Sequence, residues 1–532
     1  MRFLQKSFTV AVISLISLVA CKKETSWDVD LAIPLAKSHL NISNFFGDTI
    51  FKADPNGLLH IAFSKDLINF TMDSLVKLPD TTIKAGYSFF FPQSLNAGML
   101  LMDNATVGDK EIKFDISNGV ELNRAIVRSG ALKITYNNTY AQPLKFSYII
   151  NSATLWGTPL TVTQIIPGNS SFVKTHLLDG YNINLTGQTG NTVNTLVQTY
   201  TISTDASGVA DTLHPGEGLL IELKFEDVVP EYVQGYFGQQ DLSFGPDSSS
   251  LGLLSNFNPS NLMLTQSAIN FRIVNEFGIE MTSSINNLRS IKTSPPNVVT
   301  LNSGNLLQSI NVNRANKTGN PSNPVFPWIK QININSSNSN LNSFLQNLPN
   351  YFGYSIDATL NPLGNISAGN DFAFYGRGLK VIADIDIPLA LSADYFSLQS
   401  YSKVDLTQLK ELNDVNTCEI IVQTRNNYPF RAQIQGYMMN DQNQIIDSLF
   451  VPGQNIIESA ITDGNNVVLN YVDSKLEAVF NKTKITNLTQ CKQIKFVSYL
   501  FLPNQPTPIK INEDSYLDLV VHGYLNYNAS SK

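Results

Sequence analysis

The sequence predicts an all-β fold, with two or three β-sandwich-like domains and one short helix. Runs of β-branched, aliphatic and aromatic residues with the length of strands recur along the chain, bounded by Asn, Gly or Pro. A series of turn residues appears early and returns late in the same order. One segment has apolar residues at helical spacing. At 532 residues the chain is also long enough for several domains.

The first 20 residues have the features of an export signal. Arg2 and Lys6 give it a positive start, and 8–19 is an apolar run that is short for a permanent membrane span. Ala20 followed by Cys21 resembles the bacterial lipobox, in which the cysteine is acylated and becomes the new N-terminus. We therefore expect removal of 1–20 and lipid attachment at Cys21. The alternative is an ordinary secretory signal that ends beside a cysteine.

An acylated tether and a first strand are expected over 21–38. Two or three acyl chains on Cys21, palmitate among them, would hold the protein at a membrane, since each buried methylene contributes about 0.8 kcal/mol. The charged run Lys22-Lys23-Glu24 resembles the tether of surface lipoproteins in Bacteroidota. That resemblance implies an outer-membrane protein that faces the cell exterior. A solvated linker that faces the periplasm is the alternative.

Composition disfavours nucleic-acid binding. The net charge of −7 becomes −9 once Arg2 and Lys6 are removed, and no basic cluster follows the tether. With 43% hydrophobic and 15% charged residues, the chain can bury large cores beneath a mostly neutral polar surface. Cys418 and Cys491 either form a disulfide in the oxidising envelope or stay buried as free thiols, the reading favoured here.

The segment after the tether is expected to be a strand that ends near Pro34, because apolar and polar residues alternate over 27–36. A similar phrase returns at 384–390, and each copy carries two aspartates two residues apart. This spacing places each pair on one face of its strand. Acid on the outer face of a sheet is favoured over a metal or acid–base role. The two pairs are Asp28 with Asp30 and Asp384 with Asp386.

A β-sandwich-like domain is expected over 39–238. Strand-length runs such as 132–136, 146–150 and 219–225 support it, and Asp54-Pro55-Asn56-Gly57 is a hairpin signal.

An internal repeat supports a second sandwich over 401–532. The turn residues Asn137-Asn138, with Tyr140 and Pro143 after them, are echoed by Asn426-Asn427-Tyr428-Pro429. Further Pro-Gly and Asp-Gly turns follow each copy at similar spacing. We interpret this as one sandwich topology used twice, early and late. Chance matching of common turn residues is the alternative.

The intervening segment, 239–400, is expected to be an Asn-rich β domain with one short helix. The helix is predicted over 340–348, where Leu341, Phe344, Leu345 and Leu348 share one face and Pro349 ends it.

The sequence predicts no enzyme, no cofactor and no metal site. It has no GxSxG, HExxH, GxxxxGK[ST] or strand-linked GxGxxG motif. The nearest acid–base pairs, His176 with Asp179 and His214 with Glu217, lie beside glycine turns where polar residues are expected anyway. The loop 205–211 has oxygen ligands around a glycine, but a plain hairpin fits it better than a calcium loop.

Aromatic residues are the remaining indication of function, as anchors for a partner or platforms for sugar rings, although most are expected in the core. The candidates are Phe89-Phe90-Phe91, Trp156, Tyr232 with Tyr236 and Phe237, and Trp328. Trp328, in a proline-rich loop, is the one expected to be exposed and is the candidate partner or ligand contact. The function predicted first is a non-catalytic interaction subunit of an outer-membrane protein complex, in envelope assembly or export. The alternative is a surface glycan-binding lipoprotein of a nutrient-uptake system.

Overall fold

The computed structural model describes residues 26–41, 51–88, 91–103, 111–250, 263–264, 266–392, 395–404, 415–451, 455–464, 466–501 and 508–530. The export signal, Cys21 and the charged tether lie outside them. Strands account for 63% of the structure and helices for 4%, which confirms the all-β prediction. The described residues form forty strands, numbered β1 to β40 along the chain, and three short helices.

Three groups of eight strands repeat one pairing pattern. In each group the first strand pairs with the eighth, the eighth with the third and the third with the sixth. In the facing sheet the second strand pairs with the seventh, the seventh with the fourth and the fourth with the fifth. All these pairs are antiparallel, and this order is that of a jelly roll, in which two four-stranded sheets pack face to face.

The base sandwich combines a first strand from 26–40 with seven strands from 395–530. Its strands are β1 (Ser26–Leu40), β30 (Tyr395–Lys403), β31 (Val415–Asn426), β32 (Arg431–Met439), β33 (Ile445–Ser448) with β34 (Ile456–Ile457), β37 (Val472–Phe480), β38 (Gln493–Phe501) and β40 (Leu517–Ser530).

The middle sandwich combines a first strand from 59–71 with seven strands from 240–388. Its strands are β3 (Leu59–Thr71), β17 (Gln240–Ser250), β19 (Ala268–Asn275), β20 (Met281–Thr293), β21 (Pro296–Thr300) with β22 (Ile310–Val312), β25 (Trp328–Asn335), β26 (Tyr351–Leu360) and β28 (Gly378–Pro388).

The distal sandwich is continuous over 81–236. Its strands are β4 (Thr81–Ser88), β6 (Leu100–Asp103), β8 (Glu121–Asn138), β9 (Leu144–Leu155), β10 (Thr158–Ile166), β11 (Ser170–Leu177), β14 (Thr199–Thr204) and β16 (Gly218–Tyr236).

Short strands and helices complete the connections. The strands are β2 (Phe51–Ala53), β5 (Gln93–Leu95), β7 (Glu111–Lys113), β12 (Asn182–Asn184), β13 (Thr195–Val197), β15 (Asp211–Leu213), β18 (Met263–Leu264), β23 (Asn316–Lys317), β24 (Val325–Phe326), β27 (Asp371–Phe374), β29 (Ala390–Ser392), β35 (Ile461–Thr462), β36 (Val468–Asn470) and β39 (Ile509–Lys510). The helices are α1 (Met72–Leu75), α2 (Leu341–Gln346) and α3 (Lys482–Gln490). Among the described residues, no helix is long and apolar enough to span a bilayer.

The sandwiches are nested along the chain. The first strands of the base, middle and distal sandwiches come one after another, and the remaining strands are completed in the reverse order. The distal sandwich is thus inserted in the middle one, and the middle one in the base. The sequence predicts domains that are each one continuous segment, with boundaries near 238 and 400. The strand pairing instead builds the base and middle sandwiches from two segments each. Pairing between the ends of the chain leaves no local signal in the sequence.

In the base and middle sandwiches, the loop between the seventh and eighth strands joins the sandwich to its neighbour. The base is joined to the middle sandwich, and the middle to the distal one. From the middle sandwich, β27 pairs with Tyr232–Gly235 near the end of β16. From the base sandwich, β39 pairs with β29, directly after β28. The equivalent loop of the distal sandwich contains β15, which pairs with β5 of the same sandwich. The distal sandwich therefore closes its own end, as the terminal units of repeat proteins do.

A buried asparagine marks the corner between the third and fourth strands of every sandwich. The three residues are Asn138, Asn275 and Asn426, each at most 1% exposed. Each side-chain oxygen accepts a hydrogen bond from the backbone N–H two residues later, at 2.9–3.0 Å. Each amide nitrogen donates to the carbonyl four residues later at 3.0 Å and to a carbonyl of the connection after the fifth strand.

The repeat found in the sequence corresponds to two of these corners. Asn138 and Asn426 belong to the early and late copies, and their matching bonds show that the two copies are structurally equivalent. The third copy, Asn275-Glu276-Phe277, lacks the prolines that mark the other two, so it was missed. The signal all three share is an asparagine two residues before a buried Tyr or Phe.

Two local predictions differ from the structure. The first strand continues through Pro34 to Leu40, because β1 is an edge strand and a bulge between Pro34 and Ala36 absorbs the missing N–H donor. The helix predicted over 340–348 is confirmed as α2. The helix α3 was missed because its apolar face has only two buried residues, Ile485 and Leu488.

The two described cysteines are free. Cys418 and Cys491 are both buried, at 0% and 1% exposure, and do not form a disulfide. Burial raises the pKa of Cys418 to about 12 and also raises the pKa of Cys491. Neither thiol is therefore a reactive nucleophile.

We expect Asn426→Ala to destabilise the base sandwich by about 3 kcal/mol, because the Tyr428 N–H and two buried carbonyls would lose their partner. Asn427→Ala is the matched control, since its amide makes an exposed bond to Asp514. Urea unfolding followed by circular dichroism measures both. Equal, small shifts for the two variants would show that the corner is not a stabilising unit.

Candidate functional site

A cleft lies at the joint between the middle and distal sandwiches. It is about 570 Å³ in volume, within the range of ligand sites, and opens to solvent. One wall is the hairpin formed by β23 and β24, and the other is the outer surface of β8 and β16. Its lining includes Arg124, Ile126, Tyr232, Lys317, Pro321 and Phe374.

A small apolar cluster holds the hairpin against the distal sandwich. Tyr232 of the distal sandwich packs with Ala315, Val325 and Phe372 of the middle sandwich, separately from the main core. Within the hairpin, the Thr318 N–H donates to the Pro324 carbonyl at 3.0 Å. The proline-rich loop is thus an ordered wall of the cleft.

Lys317 places an ammonium group against aromatic rings. Its Nζ lies 4.8 Å from the centre of the Tyr232 ring and 4.7 Å from that of Phe372. It also donates to the Tyr232 hydroxyl and, at 3.3 Å, to Gln234 Oε1. Lys317 lines the cleft and is exposed as a whole, although its charged end lies against the two rings.

Arg124 brings a second cation to the other side of the cleft. Its guanidinium carbon lies 5.8 Å from the centre of the Tyr232 ring, and its Nε donates to Asn182 Oδ1 at 2.8 Å. Partial burial, followed by repulsion from Arg124 and Arg314, lowers the pKa of Lys317. Like charges are therefore held close together at this joint.

The carboxylates near the cleft are already paired. Glu231 accepts from Arg128 at 2.7 Å, and the buried Asp371 lies 3.7 Å from Arg314. Burial raises the pKa of Asp371 despite this pairing. Among the ion pairs of the described residues, none involves Arg124 or Lys317. The two cations that line the cleft thus have no carboxylate partner there.

The predicted contact residue Trp328 lies beside this hairpin. It begins β25, pairs with Asn275 and packs half-buried against the main core. Its neighbour Phe326 is 69% exposed. The exposed aromatic side chain of the proline-rich loop is therefore Phe326, whereas Trp328 begins β25 on the face that carries the buried Ile332 and Ile334.

The two His–carboxylate pairs noted in the sequence differ in their geometry. His214 Nδ1 lies 3.4 Å from Glu217 Oε2 in an exposed turn with no third partner. His176 is partly buried, which lowers its pKa, whereas Asp179 is exposed and forms no ion pair with it among the described residues.

The paired aspartates lie on outer sheet faces. Asp384 forms an ion pair with Arg272 at 2.5 Å, and Asp386 forms one with His60 at 2.7 Å. Asp28 and Asp30 are exposed on β1. In the loop 205–211, the Asp205 carboxylate accepts from the Ser207 N–H at 2.8 Å. Among the described residues, no three His, Cys, Asp or Glu side chains are grouped to hold a metal ion.

Trp156 is the most exposed large apolar residue described, at 97%. It occupies the first position of the two-residue hairpin turn between β9 and β10, with φ of 51°, and Gly157 follows with φ of 86°. Two positive φ angles indicate a type I′ turn, which favours Asn-Gly. Trp156 was one aromatic among several in the sequence, and no local pattern distinguished it.

Comparisons with known proteins do not assign a family. No protein-family model matches the chain, and no curated protein matches it. A protein from Parabacteroides distasonis described as secreted is 13% identical, with 53% of this chain and 82% of that one covered and a TM-score of 0.27. Cowpea mosaic virus empty particles give 10% identity, 57% and 90% coverage and a TM-score of 0.14. These TM-scores are too low to support a conclusion about fold, function or location.

Proposed function

We propose that the mature protein is a non-catalytic lipoprotein, anchored in the outer membrane through Cys21 and facing the cell exterior. In this role it is an interaction subunit of an outer-membrane protein complex, in envelope assembly or export. The position of the chain ends supports the proposal. β1 begins at Ser26, five residues after Cys21, and Ser26 pairs with Ser530 at the same end of the base sandwich.

The stacked arrangement gives the lipid anchor a geometric consequence. A strand of 15 residues spans about 50 Å, so β1 crosses the base sandwich from the anchored end to the joint. The middle sandwich then separates the base from the distal one. An anchor at Cys21 would hold the base sandwich beside the membrane and present the distal sandwich away from it.

Trp156 is the observation that carries the interaction role. A left-handed backbone costs a side chain with Cβ about 1–2 kcal/mol, and an exposed indole gains no packing in return. Backbone strain of this kind is concentrated at functional positions. Tryptophan is also among the residues that contribute most at protein interfaces. Trp156 is therefore the proposed anchor for the partner protein.

The glycan-binding alternative is supported by a different feature, the cleft at the joint between the middle and distal sandwiches. Phe374 gives that cleft an aromatic ring, and Arg124 and Lys317 give it two cations that form no ion pair among the described residues. This function would use the joint and leave Trp156 without a role.

Cys21→Ala tests the anchor. We expect the variant, once residues 1–20 have been removed, to be released from membranes into the soluble fraction, because it lacks the acyl chains. Carbonate-washed membranes, probed for the protein and for its size relative to the precursor, measure the release. Retention of the processed variant in washed membranes would contradict lipid anchoring.

Trp156→Asn tests the interaction role. Because Asn-Gly suits a type I′ turn, we expect the variant to be more stable by about 1 kcal/mol and yet to lose its partner. Purification of the tagged protein in mild detergent should recover a stoichiometric membrane partner with the native chain and little with Trp156→Asn. Phe326→Ala, another exposed aromatic, is the control and should keep the partner. Equal recovery with Trp156→Asn would contradict the role of Trp156.

A further inference from the structure

We infer that the cleft between the middle and distal sandwiches binds a carboxylated saccharide, with Arg124 and Lys317 holding the carboxylate. This inference deepens the glycan-binding alternative and does not depend on the partner proposed for Trp156. It rests on the local charge, on the polar groups in and beside the cleft and on the aromatic rings that line it.

The positive charge in the cleft favours binding of an anion. The chain as a whole is acidic, yet Arg124 and Lys317 line the cleft and form no ion pair with a carboxylate of the described residues, and Glu231 is occupied by Arg128. Two cations held within 6 Å of the centre of one ring repel each other, and an anion bound between them would relieve that repulsion. Arginine binds carboxylates with two parallel hydrogen bonds, and lysine adds a point charge.

The polar groups of the cleft suit a ligand rich in hydroxyl groups. Amide side chains adjoin both cations: Asn182 accepts from Arg124, and Gln234 accepts from Lys317 and donates to Asn370. Amides can donate and accept, so they match hydroxyls, which do both. Asn320 adds another amide on the hairpin wall.

Aromatic rings in the cleft offer apolar contacts for a sugar ring. Tyr232 and Phe374 both line the cleft, and Phe374 is only half-buried. Aromatic faces provide contact area at little entropic cost. A carboxylate, hydroxyls and an apolar ring face coexist in a uronic acid, whereas an acidic peptide presents no ring of hydroxyls.

Isothermal titration of the folded protein with oligogalacturonate tests the inference. We expect saturable binding that weakens as salt is raised. Lys317→Met and Arg124→Gln should each weaken binding at least tenfold, while Arg425→Gln, a paired surface arginine of the base sandwich, should leave it unchanged. Fully methyl-esterified oligogalacturonate, which keeps the rings and loses the charges, should not bind. Circular dichroism and thermal unfolding verify that each variant is folded.

Two outcomes would overturn the inference. One is the absence of oligogalacturonate binding, or binding that Lys317→Met and Arg124→Gln leave unchanged. The other is equal affinity for an oligoglutamate of the same length, which would show that charge alone is recognised. Neither outcome affects recovery of the membrane partner through Trp156, so failure here is distinguishable from failure of the interaction role.

Discussion

The structure depends on the pairing of each sandwich's first strand with its last. The pair with the largest separation in the sequence joins Ser26–Leu40 to Leu517–Ser530, which lie near opposite ends of the chain. Closing so long a loop would cost entropy and slow folding if it happened in one step. The nested order avoids this. Once the distal sandwich has folded, it brings the two segments of the middle sandwich together, and the middle sandwich then does the same for the base.

The same nesting determines where the candidate sites lie. The chain forms the first strands of the base, middle and distal sandwiches in turn and then completes the sandwiches in the reverse order. Both ends of the described chain therefore lie in the base sandwich, and the continuous distal sandwich lies farthest from them. The joints between sandwiches are built from loops between seventh and eighth strands. The joint between the middle and distal sandwiches also includes the hairpin that carries Lys317. The cleft therefore combines residues from two sandwiches. Trp156 needs only one hairpin of the distal sandwich, so the two sites can serve separate roles.

Much of the fold could be predicted from local sequence, because alternation and turn residues act over a few positions. Strand segments such as 132–136 and 219–225 lie within β8 and β16, as expected. The nesting could not be predicted, since no local pattern records that β1 pairs with β40. The cleft was equally hidden, because it joins Arg124, Tyr232 and Lys317 from distant parts of the chain. Side-chain direction in the proline-rich loop decides that Phe326, and not Trp328, is exposed.

An engineered disulfide between β1 and β40 tests the nested closure most directly. Lys37 pairs with Val520, so cysteines at these two positions lie within the reach of a disulfide. Lys475 belongs to the same row but lies three strands from Lys37, about 14 Å away, which is too far for one. We predict that oxidised Lys37→Cys/Val520→Cys protein migrates as a compact, reducible species on a non-reducing gel and that Lys37→Cys/Lys475→Cys protein does not. No cross-link in the first variant, or equal cross-linking in both, would contradict the account.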